Sequence, residues 1–370
     1  MSYRLFTWLT CLILALFLIF HLILYQYTKE ILFLPEKVLK RSAVTGRCEP
    51  SRHVEVTATG DLARLSHLYG LGVYRTVADT SDSRGYLNKE HVENASFPVV
   101  AAGDSFMWYN GDEGRFTSLL EKKIGAGCYN MSANGVEDPF AFLQSDLQKS
   151  AKVLVWEAGE RTITADTFNP AKTGFYRAEA KRKLEYRDNW DGEKTFKYRL
   201  RVINSSNIKF LVNNISYAIT GKPLLGKVSI ARLKNGRDLM FYKDDLASFG
   251  RPGNPGDLKL IVDFISSVDR ELKDTGTTLI FFAVPDKYNA YYEQITDDWK
   301  IQPDSDFIRK LTGELQKNNV IAINLIDPYR DRIRQGAELY HFDDTHWNCS
   351  GAEIAAELVA QEIKKRGLLD

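Results

Sequence analysis

Three residues of the chain have the chemistry needed for acyl transfer through a serine. Ser105 follows a short apolar run in the stretch VVAAGDSFMW, and Asp344 and His346 lie two residues apart near the C-terminal end. Serine acyl transfer needs a hydroxyl nucleophile, an imidazole that takes its proton and a carboxylate that orients the imidazole. We therefore predict that Ser105, His346 and Asp344 form a catalytic triad.

Each of these motifs has a simpler explanation when it is taken alone. A serine after a strand is commonly a turn or cap residue, and an Asp-x-His sequence before a helix is commonly a capping loop. The combination favours catalysis, because a doubly wound sheet would bring the end of its first strand and the last loop before its final helix to one shared site.

Strand and helix signals alternate in the segments that must position these residues. Five short buried strands are predicted, with amphipathic helices between most of them. The strand sequences are FPVVAAG, CYNMSANG, KVLVWEAG, TTLIFFAVP and VIAINLIDP. With right-handed crossovers they form one mainly parallel five-stranded sheet, covered by helices on both faces, in a doubly wound α/β fold. Ser350 and Glu353 predict a capping box at the start of the last helix.

The chain is predicted to contain five successive segments. The fourth is interpreted as an insertion because strand–helix alternation stops there and VSIARLKNGRDLMFY, with Asn235-Gly236 at its centre, predicts a β-hairpin. The segments are a transmembrane anchor (1–30), a loop-rich lead (31–95), the first half of the sheet domain (96–168), an inserted β-rich subdomain or lid (169–255) and the second half of the sheet domain (256–370).

The first segment is predicted to be an uncleaved membrane anchor. The stretch from Leu5 to Tyr27 has no charged residue and is long enough to cross a bilayer as a helix, and no small-residue cleavage pattern follows it. The flanking charges favour a cytoplasmic body by the positive-inside rule, although large domains translocate largely regardless of such charges. Those charges are Arg4 before the span and Lys29, Lys37, Lys40, Arg41 and Arg47 after it.

Composition excludes some classes of partner and cofactor. The 370 residues carry a formal net charge of +1, so nothing in the charge balance indicates a nucleic-acid partner. The four cysteines do not have metal-ligand spacing, and we predict neither a metal site nor a cofactor. Cys48 and Cys128 are compatible with a disulfide or with two separate buried thiols.

The two motifs around the predicted triad resemble those of a known family. Gly103-Asp104-Ser105-Phe106 and Asp344-Thr345-His346-Trp347 resemble the blocks of the SGNH (GDSL-like) hydrolase superfamily, and most closely those of the SGNH-like domain of alginate O-acetyltransferases. The resemblance covers roughly residues 97–165 and 256–366. Here the Asp-His block follows the serine block, whereas it precedes it in the alginate enzymes, and the superfamily's G-x-N-D block is not visible.

The resemblance implies further site residues. The backbone N–H groups of Ser105 and Gly135 would bind the oxyanion, each typically worth about 3 kcal/mol in the transition state. Asp104 belongs to the serine block and is grouped with these residues. Arg161 would be a third donor or a substrate anchor; a salt bridge with Glu157 or Glu160 is an equally good explanation.

Three other residues are assigned by their position at strand ends or beside the histidine. Lys287 and Tyr288 follow the fourth strand and would line the cleft, unless they are ordinary strand-end surface residues. Trp347 would form a wall of the pocket or stack on a sugar ring.

The implied function is a membrane-anchored O-acyltransferase, most plausibly an O-acetyltransferase, that modifies a polysaccharide or oligosaccharide on the periplasmic side of the inner membrane through an acyl-serine. Because acetyl donors such as acetyl-CoA are cytoplasmic, a multi-spanning membrane protein would supply the acyl group. One alternative is a glycan acetylesterase or deacetylase with the same triad. Another is a non-catalytic scaffold or glycan-binding component of a polysaccharide assembly complex.

Overall fold

The computed structural model describes residues 3–32, 39–89, 96–133, 135–188, 190, 205–249, 254–296 and 306–370. The strands are β1 (His53–Ala58), β2 (Arg75–Thr80), β3 (Val99–Ala102), β4 (Cys128–Asn130), β5 (Val153–Gly159), β6 (Val228–Arg232), β7 (Asp238–Tyr242), β8 (Thr278–Val284) and β9 (Ile321–Ile323). The helices are α1 (Tyr3–Leu32), α2 (Asp61–Leu65), α3 (Gly111–Gly114), α4 (Phe116–Ile124), α5 (Asp138–Leu143), α6 (Thr173–Glu185), α7 (Ser205–Thr220), α8 (Lys243–Phe249), α9 (Pro255–Asp274), α10 (Lys287–Tyr291), α11 (Phe307–Lys317), α12 (Ile326–Arg334) and α13 (Cys349–Lys365).

The five predicted strands form one parallel sheet in the order β4-β3-β5-β8-β9. Their side chains are apolar on both faces, and two hydrophobic clusters pack against the sheet through alternate strand residues. One cluster includes α4 and α13, and the other includes α5, α9 and α11. The predicted doubly wound α/β fold is therefore confirmed.

The last helix begins one residue before the predicted capping residue. Its cap is Asn348, whose side chain accepts a hydrogen bond from the Gly351 N–H at 3.1 Å, so the predicted Ser350 capping box is wrong. The loop that carries Asp344 and His346 nevertheless ends at this helix, as predicted.

The insertion and the lead segment differ from their predicted character. The β6–β7 hairpin is present, but α6, α7 and α8 hold more residues than its two strands, so the prediction of a β-rich insertion is wrong for the described residues. The lead contains an antiparallel β1–β2 pair and the short helix α2 in addition to loops. Cys48 and Cys128 are both buried and are not joined to each other.

The N-terminal helix α1 has the length and composition of a membrane span. Its stretch Tyr3–Ile23 has a mean hydropathy of 2.4 and none of it is buried against the rest of the chain. This apolar helix fits the predicted single-pass anchor.

Candidate active site

Ser105 begins a tight turn just after the carboxyl end of β3, an interior strand next to the central strand β5. The four residues Ser105–Trp108 form a single 3₁₀ turn, and its cap is Asp104, whose Oδ1 accepts from the Phe106 N–H at 3.0 Å. The capping residue is therefore Asp104, and the alternative role of Ser105 as a cap is wrong. The Ser105 hydroxyl is held where parallel sheets place ligands.

The turn is fixed to the adjacent strand β5 through Gly103, Asp104 and Glu157. The Asp104 N–H donates to Glu157 Oε2 at 3.0 Å, and Asp104 Oδ2 accepts from the Gly159 N–H at 3.1 Å. A Cβ at Gly103 would lie 2.5 Å from Glu157 Oε2, so only glycine fits this close approach. Asp104, predicted among the oxyanion and substrate-binding residues, uses both carboxylate oxygens to hold the turn.

Ser105, His346 and Asp344 form a continuous hydrogen-bonded relay. His346 Nε2 lies 2.7 Å from Ser105 Oγ, and His346 Nδ1 lies 2.6 Å from Asp344 Oδ1. An ionised carboxylate only accepts, so Nδ1 carries a proton in this arrangement and Nε2 of the neutral ring accepts from the serine hydroxyl. The geometry matches what proton transfer from Ser105 to His346 requires.

Asp344 is fully buried and remains ionised because several groups donate to it. Burial acts to raise its pKa, but the charge of His346 and hydrogen bonds from His346 and Tyr109 outweigh burial and hold the pKa well below its usual range. The Tyr109 hydroxyl donates to Asp344 Oδ2, and its ring stacks on the His346 ring with centroids 4.3 Å apart. Tyr109 therefore fixes both the acid and the imidazole.

The lead segment supplies a second group of contacts to the same loop. The Asp61 N–H donates to Asp344 Oδ2 at 3.0 Å, while the Asp61 carboxylate accepts from the Thr345 N–H at 2.8 Å and from the Thr345 hydroxyl at 2.6 Å. Asp61 Oδ2 also lies 4.0 Å from His346 Nδ1. A second carboxylate thus lies beside the imidazole.

Asp343 anchors the lead segment from the other side of the loop. Its carboxylate accepts from the N–H groups of Gly60 and Val73, both at 2.8 Å, and from the Arg75 guanidinium at 2.6 Å. A Cβ at Gly60 would lie 2.0 Å from the Asp343 carbonyl oxygen, so this contact also requires glycine. The loop carrying the triad acid is therefore clamped by residues about 280 positions earlier in the chain.

The sequence predicted that Lys287 lines the cleft, and this prediction is wrong. It is fully buried, and its Nζ donates to the backbone carbonyls of His341, Phe342 and Asp344 at 2.6, 2.9 and 3.0 Å. Burial lowers its pKa to about 7, against the opposing effect of the nearby carboxylates. Three carbonyl acceptors match the three N–H donors of an ammonium, so we assign the charged form, which holds the 341–344 loop in shape.

Arg161 is paired with carboxylates that the sequence analysis did not anticipate. Its Nη1 lies 2.9 Å from Asp245 Oδ1 and 3.6 Å from Asp286 Oδ1, and neither Glu157 nor Glu160 is its ion-pair partner among the described contacts. Its guanidinium carbon lies 6.0 Å from the centre of the Phe106 ring. Arg161 is thus beside the Ser105–Trp108 turn, but Asp245 and Asp286 neutralise its charge.

The Gly135 N–H is occupied by a carboxylate in this structure. It donates to Asp138 Oδ2 at 3.2 Å, and the same oxygen accepts from Ala133 N–H at 2.9 Å. The predicted oxyanion role of Gly135 requires this bond to open, because one N–H cannot point at both acceptors. The Ser105 N–H remains the predicted oxyanion donor.

Tyr288 and Trp347 belong to the interior. Tyr288 is fully buried with its ring 5.8 Å from that of Phe241. Trp347 is also fully buried, donates from Nε1 to the Phe106 carbonyl at 3.0 Å and packs on the Phe116 ring. Burial excludes the predicted stacking of Trp347 on a sugar ring. Its hydrogen bond to Phe106 instead stabilises the Ser105–Trp108 turn.

Sequence reasoning missed Asp61, Tyr109 and Asp343. Tyr109 had a usable signal, since it lies four residues after Ser105 in a turn that must bend back over the site. Asp343 directly precedes the predicted acid. Asp61 had no local signal, because it lies in a segment without strong periodicity and meets the site only through tertiary contacts.

The described residues include one set with the donor chemistry of a metal site. Ligand atoms of Asp61, Asp344 and His346 all lie within 4.8 Å of one another. His346 Nδ1 is already hydrogen-bonded to Asp344, which also accepts from the Tyr109 hydroxyl, and Asp61 accepts from Thr345. A metal there would have to displace these bonds, so the residues fit a proton relay better than a metal.

Comparison with known proteins identifies the class of this site. Residues 240–370 match the family model described as the SGNH hydrolase-like domain of acetyltransferase AlgX. A probable alginate O-acetylase AlgJ of Pseudomonas syringae pv. tomato is 28% identical over 138 residues, which are 36% of this chain and 34% of that protein. The corresponding protein of Pseudomonas putida is 27% identical over 106 residues, 29% of this chain and 27% of that protein.

The matched segments thus span about a third of the length of these relatives. Among solved structures, a lipase/acylhydrolase from Enterococcus faecalis aligns with a TM-score of 0.35 and 13% identity, over 73% of this chain and 97% of that chain. The family and sequence matches confirm the resemblance inferred from the motifs. Residues 240–370, which contain Asp344 and His346, are similar to the SGNH-like domain of an alginate O-acetyltransferase.

Proposed function

We propose that the chain is a membrane-anchored O-acetyltransferase that modifies a polysaccharide through an acetyl-Ser105 intermediate. The observation that carries the proposal is the unbroken relay from Ser105 Oγ through His346 to Asp344, in a chain whose C-terminal third matches an acetyltransferase family. A module that only binds glycans has no need for this relay.

The proposed reaction has two half-reactions. In the first, Ser105 Oγ attacks the acetyl carbonyl of the donor while His346 Nε2 takes the serine proton. The tetrahedral oxyanion is bound by the Ser105 N–H, and its collapse expels the donor's leaving group, which receives the proton from His346. In the second, a sugar hydroxyl gives its proton to His346 and attacks the acetyl-serine, and the proton returns to Ser105 as the acetylated sugar leaves.

Asp344 and Tyr109 make this cycle efficient. Imidazolium forms twice in each cycle, and the ionised Asp344 stabilises it while holding the Nδ1–H tautomer. Tyr109 keeps the ring from rotating because it stacks on one face and donates to the acid at the same time. Neither side chain needs to transfer a proton itself.

The proposal is tested with the full chain in detergent, wild type beside Ser105→Ala. Each is given an activated acetyl ester, with and without oligosaccharides, and the products are followed by mass spectrometry. We expect acetylated oligosaccharide with wild type only. Ser145→Ala is the matched control, since that hydroxyl bonds only a backbone carbonyl on α5 and should leave the reaction unchanged.

Other outcomes would redirect the assignment. Serine-dependent loss of the ester with only free acetate as product would support the glycan esterase. A folded protein that neither turns over the ester nor reacts at Ser105 with a fluorophosphonate probe would refute catalysis and support the scaffold.

Membrane placement and the acyl-donor partner form part of the same proposal. We place the catalytic body on the periplasmic side of the inner membrane, with acetyl groups delivered by a multi-spanning membrane protein. Reporter fusions at the C-terminus test the side, and a cytoplasmic signal would contradict the polysaccharide assignment. Cross-linking in native membranes tests the partner, which should be recovered with the full chain in its membrane.

A further inference from the structure

Helix α7 in the insertion packs through one face against the other described residues. The Phe210 ring lies 6.0 Å from Tyr69, and the buried Asn213 side chain donates to the carbonyls of Ser66 and Leu225. Tyr217, one further turn along, packs against a small apolar cluster formed by α2, the loop after it and the β6–β7 hairpin. These residues are spaced three and four apart, so they share one side of the helix.

The opposite side of α7 presents large aliphatic side chains to solvent. Ile208, Ile215 and Ile219 are 51%, 52% and 78% exposed, and Leu224, just after the helix, is 66% exposed. At about 100° per residue the three isoleucines lie within roughly 40° of one another and opposite Phe210. A contiguous apolar stripe of this kind marks an interaction surface.

The charged residues of the segment that forms this stripe are both lysines. Residues 205–226 contain Lys209 and Lys222 and no aspartate or glutamate. Basic residues beside exposed isoleucine and leucine side chains are typical of a helix that lies at a membrane interface, where lysines meet anionic headgroups and the apolar face enters the acyl boundary.

A bilayer is also a partner that the anchored chain keeps permanently within reach. The apolar part of α1 ends at Ile23, and the described body begins at Leu39. The 15 intervening residues can span at most about 50 Å when fully extended. Membrane insertion of α1 therefore keeps the body within that distance of the lipid surface.

We propose that the exposed face of α7 docks on the bilayer that holds α1, with Ile208, Ile215, Ile219 and Leu224 in the acyl boundary and Lys209 and Lys222 at anionic headgroups. The inference rests on the membrane anchoring in the proposed function. It adds a second contact, which would hold the body in a fixed orientation on the membrane.

The test uses the full chain reconstituted into vesicles of phosphatidylethanolamine and phosphatidylglycerol. Cys11 and Cys349, the exposed cysteines, are changed to serine, and an environment-sensitive fluorophore is attached at Ile219→Cys. Lipids brominated along the acyl chain then quench the fluorophore if it enters the bilayer. The matched control is Phe175→Cys, an exposed apolar position on α6, where Phe175 is followed by charged residues of both signs and not by a stripe of isoleucines.

We expect quenching at position 219 to exceed that at position 175 by at least about threefold, at any protein-to-lipid ratio. Ile208→Asn with Ile215→Asn should reduce it to the control level. Phosphatidylcholine vesicles, or Lys209→Gln with Lys222→Gln, should weaken the docking equilibrium by about thirtyfold, since each of the two lysines near an anionic surface contributes about 1 kcal/mol.

Absence of lipid quenching at position 219 would overturn the proposal. Energy transfer between labelled copies that rises with protein density would then assign the face to a second copy, and its absence would assign it to another protein. Flotation of each sample with its vesicles reports insertion of α1 separately. Failure of anchoring is therefore distinguished from failure of docking, and neither readout depends on acetyl transfer.

Discussion

Two clusters of carboxylates lie near the Ser105–Trp108 turn, and they differ in the groups that contact each carboxylate. In the histidine cluster (Asp61, Tyr109, Asp344 and His346), Asp344 receives hydrogen bonds from an imidazole, a phenol and a backbone N–H. In the arginine cluster (Glu160, Arg161, Asp245, Asp286 and Asn289), Asp245 and Asp286 share the Arg161 guanidinium, while Glu160 accepts from the Asn289 amide and the Asp286 N–H.

The pKa of Asp344 shifts in the opposite direction to those of two acids in the arginine cluster, although burial also raises the pKa of Asp61 in the histidine cluster. The pKa of Asp344 is lowered, because its donors and the charge of His346 overcome burial. Burial, followed by the charge of Asp286, raises the pKa of Asp245 well above its usual range and that of Glu160 to about 8. The comparison teaches that burial raises the pKa of a carboxyl group beside this turn unless hydrogen bonds and the charge of an imidazole outweigh it, as they do at Asp344.

The largest effect is expected for Asp344→Asn. The amide NH₂ would favour the tautomer with the proton on Nε2, which could no longer accept from Ser105, and kcat should fall by about 10⁴-fold. Steady-state kinetics on an activated acetyl ester measure this. Asp343→Asn is the matched control, because Asp343 is buried in the same loop but contacts only the lead segment. Equal losses in kcat for the two variants would show that the loss comes from the structure of the loop and not from the hydrogen bond between Asp344 and His346.

Arg161→Met tests whether the arginine cluster is structural. Removing the guanidinium leaves Asp245 and Asp286 facing each other, so the free energy of unfolding should fall by about 3 kcal/mol, while kcat per folded molecule stays within about threefold. Urea unfolding gives the first quantity, and titration with a fluorophosphonate probe normalises the second. A raised KM with unchanged stability would instead support the predicted substrate-anchor role of Arg161.

Asp61→Asn should lower kcat by about tenfold with KM nearly unchanged. The variant keeps a side chain that can bond Thr345, but it removes a negative charge 4.0 Å from His346 Nδ1 that stabilises the imidazolium of the transition state. Pre-steady-state kinetics of serine acetylation check the affected step. Thr345→Val is the companion variant, since it removes the Asp61–Thr345 hydroxyl bond without the charge. A tenfold loss there as well would assign Asp61 to loop structure alone.

Glu160→Gln should change the pH dependence of stability more than stability itself. Because folding raises the pKa of Glu160 above its unfolded value of about 4.3, the folded state binds more protons between about pH 4.3 and 8, and the free energy of unfolding falls as pH rises through that window. The neutral glutamine removes this contribution. Urea unfolding at pH 5, 6.5 and 8 should therefore give a flatter profile for the variant. Parallel profiles would contradict the shift.

The parallel sheet and the serine, histidine and acid motifs were predictable because they depend on local patterns. The runs VVAAG and KVLVWEAG are too apolar to lie anywhere but in a central parallel strand, and the topology of such a sheet brings its loops together. The roles of individual side chains were less accessible. Lys287 and Trp347 follow or flank loop positions that look exposed in sequence, and only tertiary packing buries them.

The remaining differences also have a physical origin. Arg161 has four acidic residues available in its surroundings, and sequence proximity pointed to Glu157 and Glu160 when Asp245 and Asp286 were the partners. The insertion was assigned from a strong hairpin signal. The 13-residue helix α6 is polar on most of its surface, so its periodicity is too weak to predict it from the sequence.

The clamp between the lead segment and the Asp343–Thr345 loop has a consequence for how the protein is made. Ser105 leaves the ribosome 241 residues before His346, which at about 5–20 residues per second is a delay of roughly 10–50 s. During that time the lead is present but has nothing to clamp, and the serine has no base. An unfinished or C-terminally truncated chain therefore lacks the proposed relay, which forms only when the lead segment and the Asp343–Thr345 loop meet.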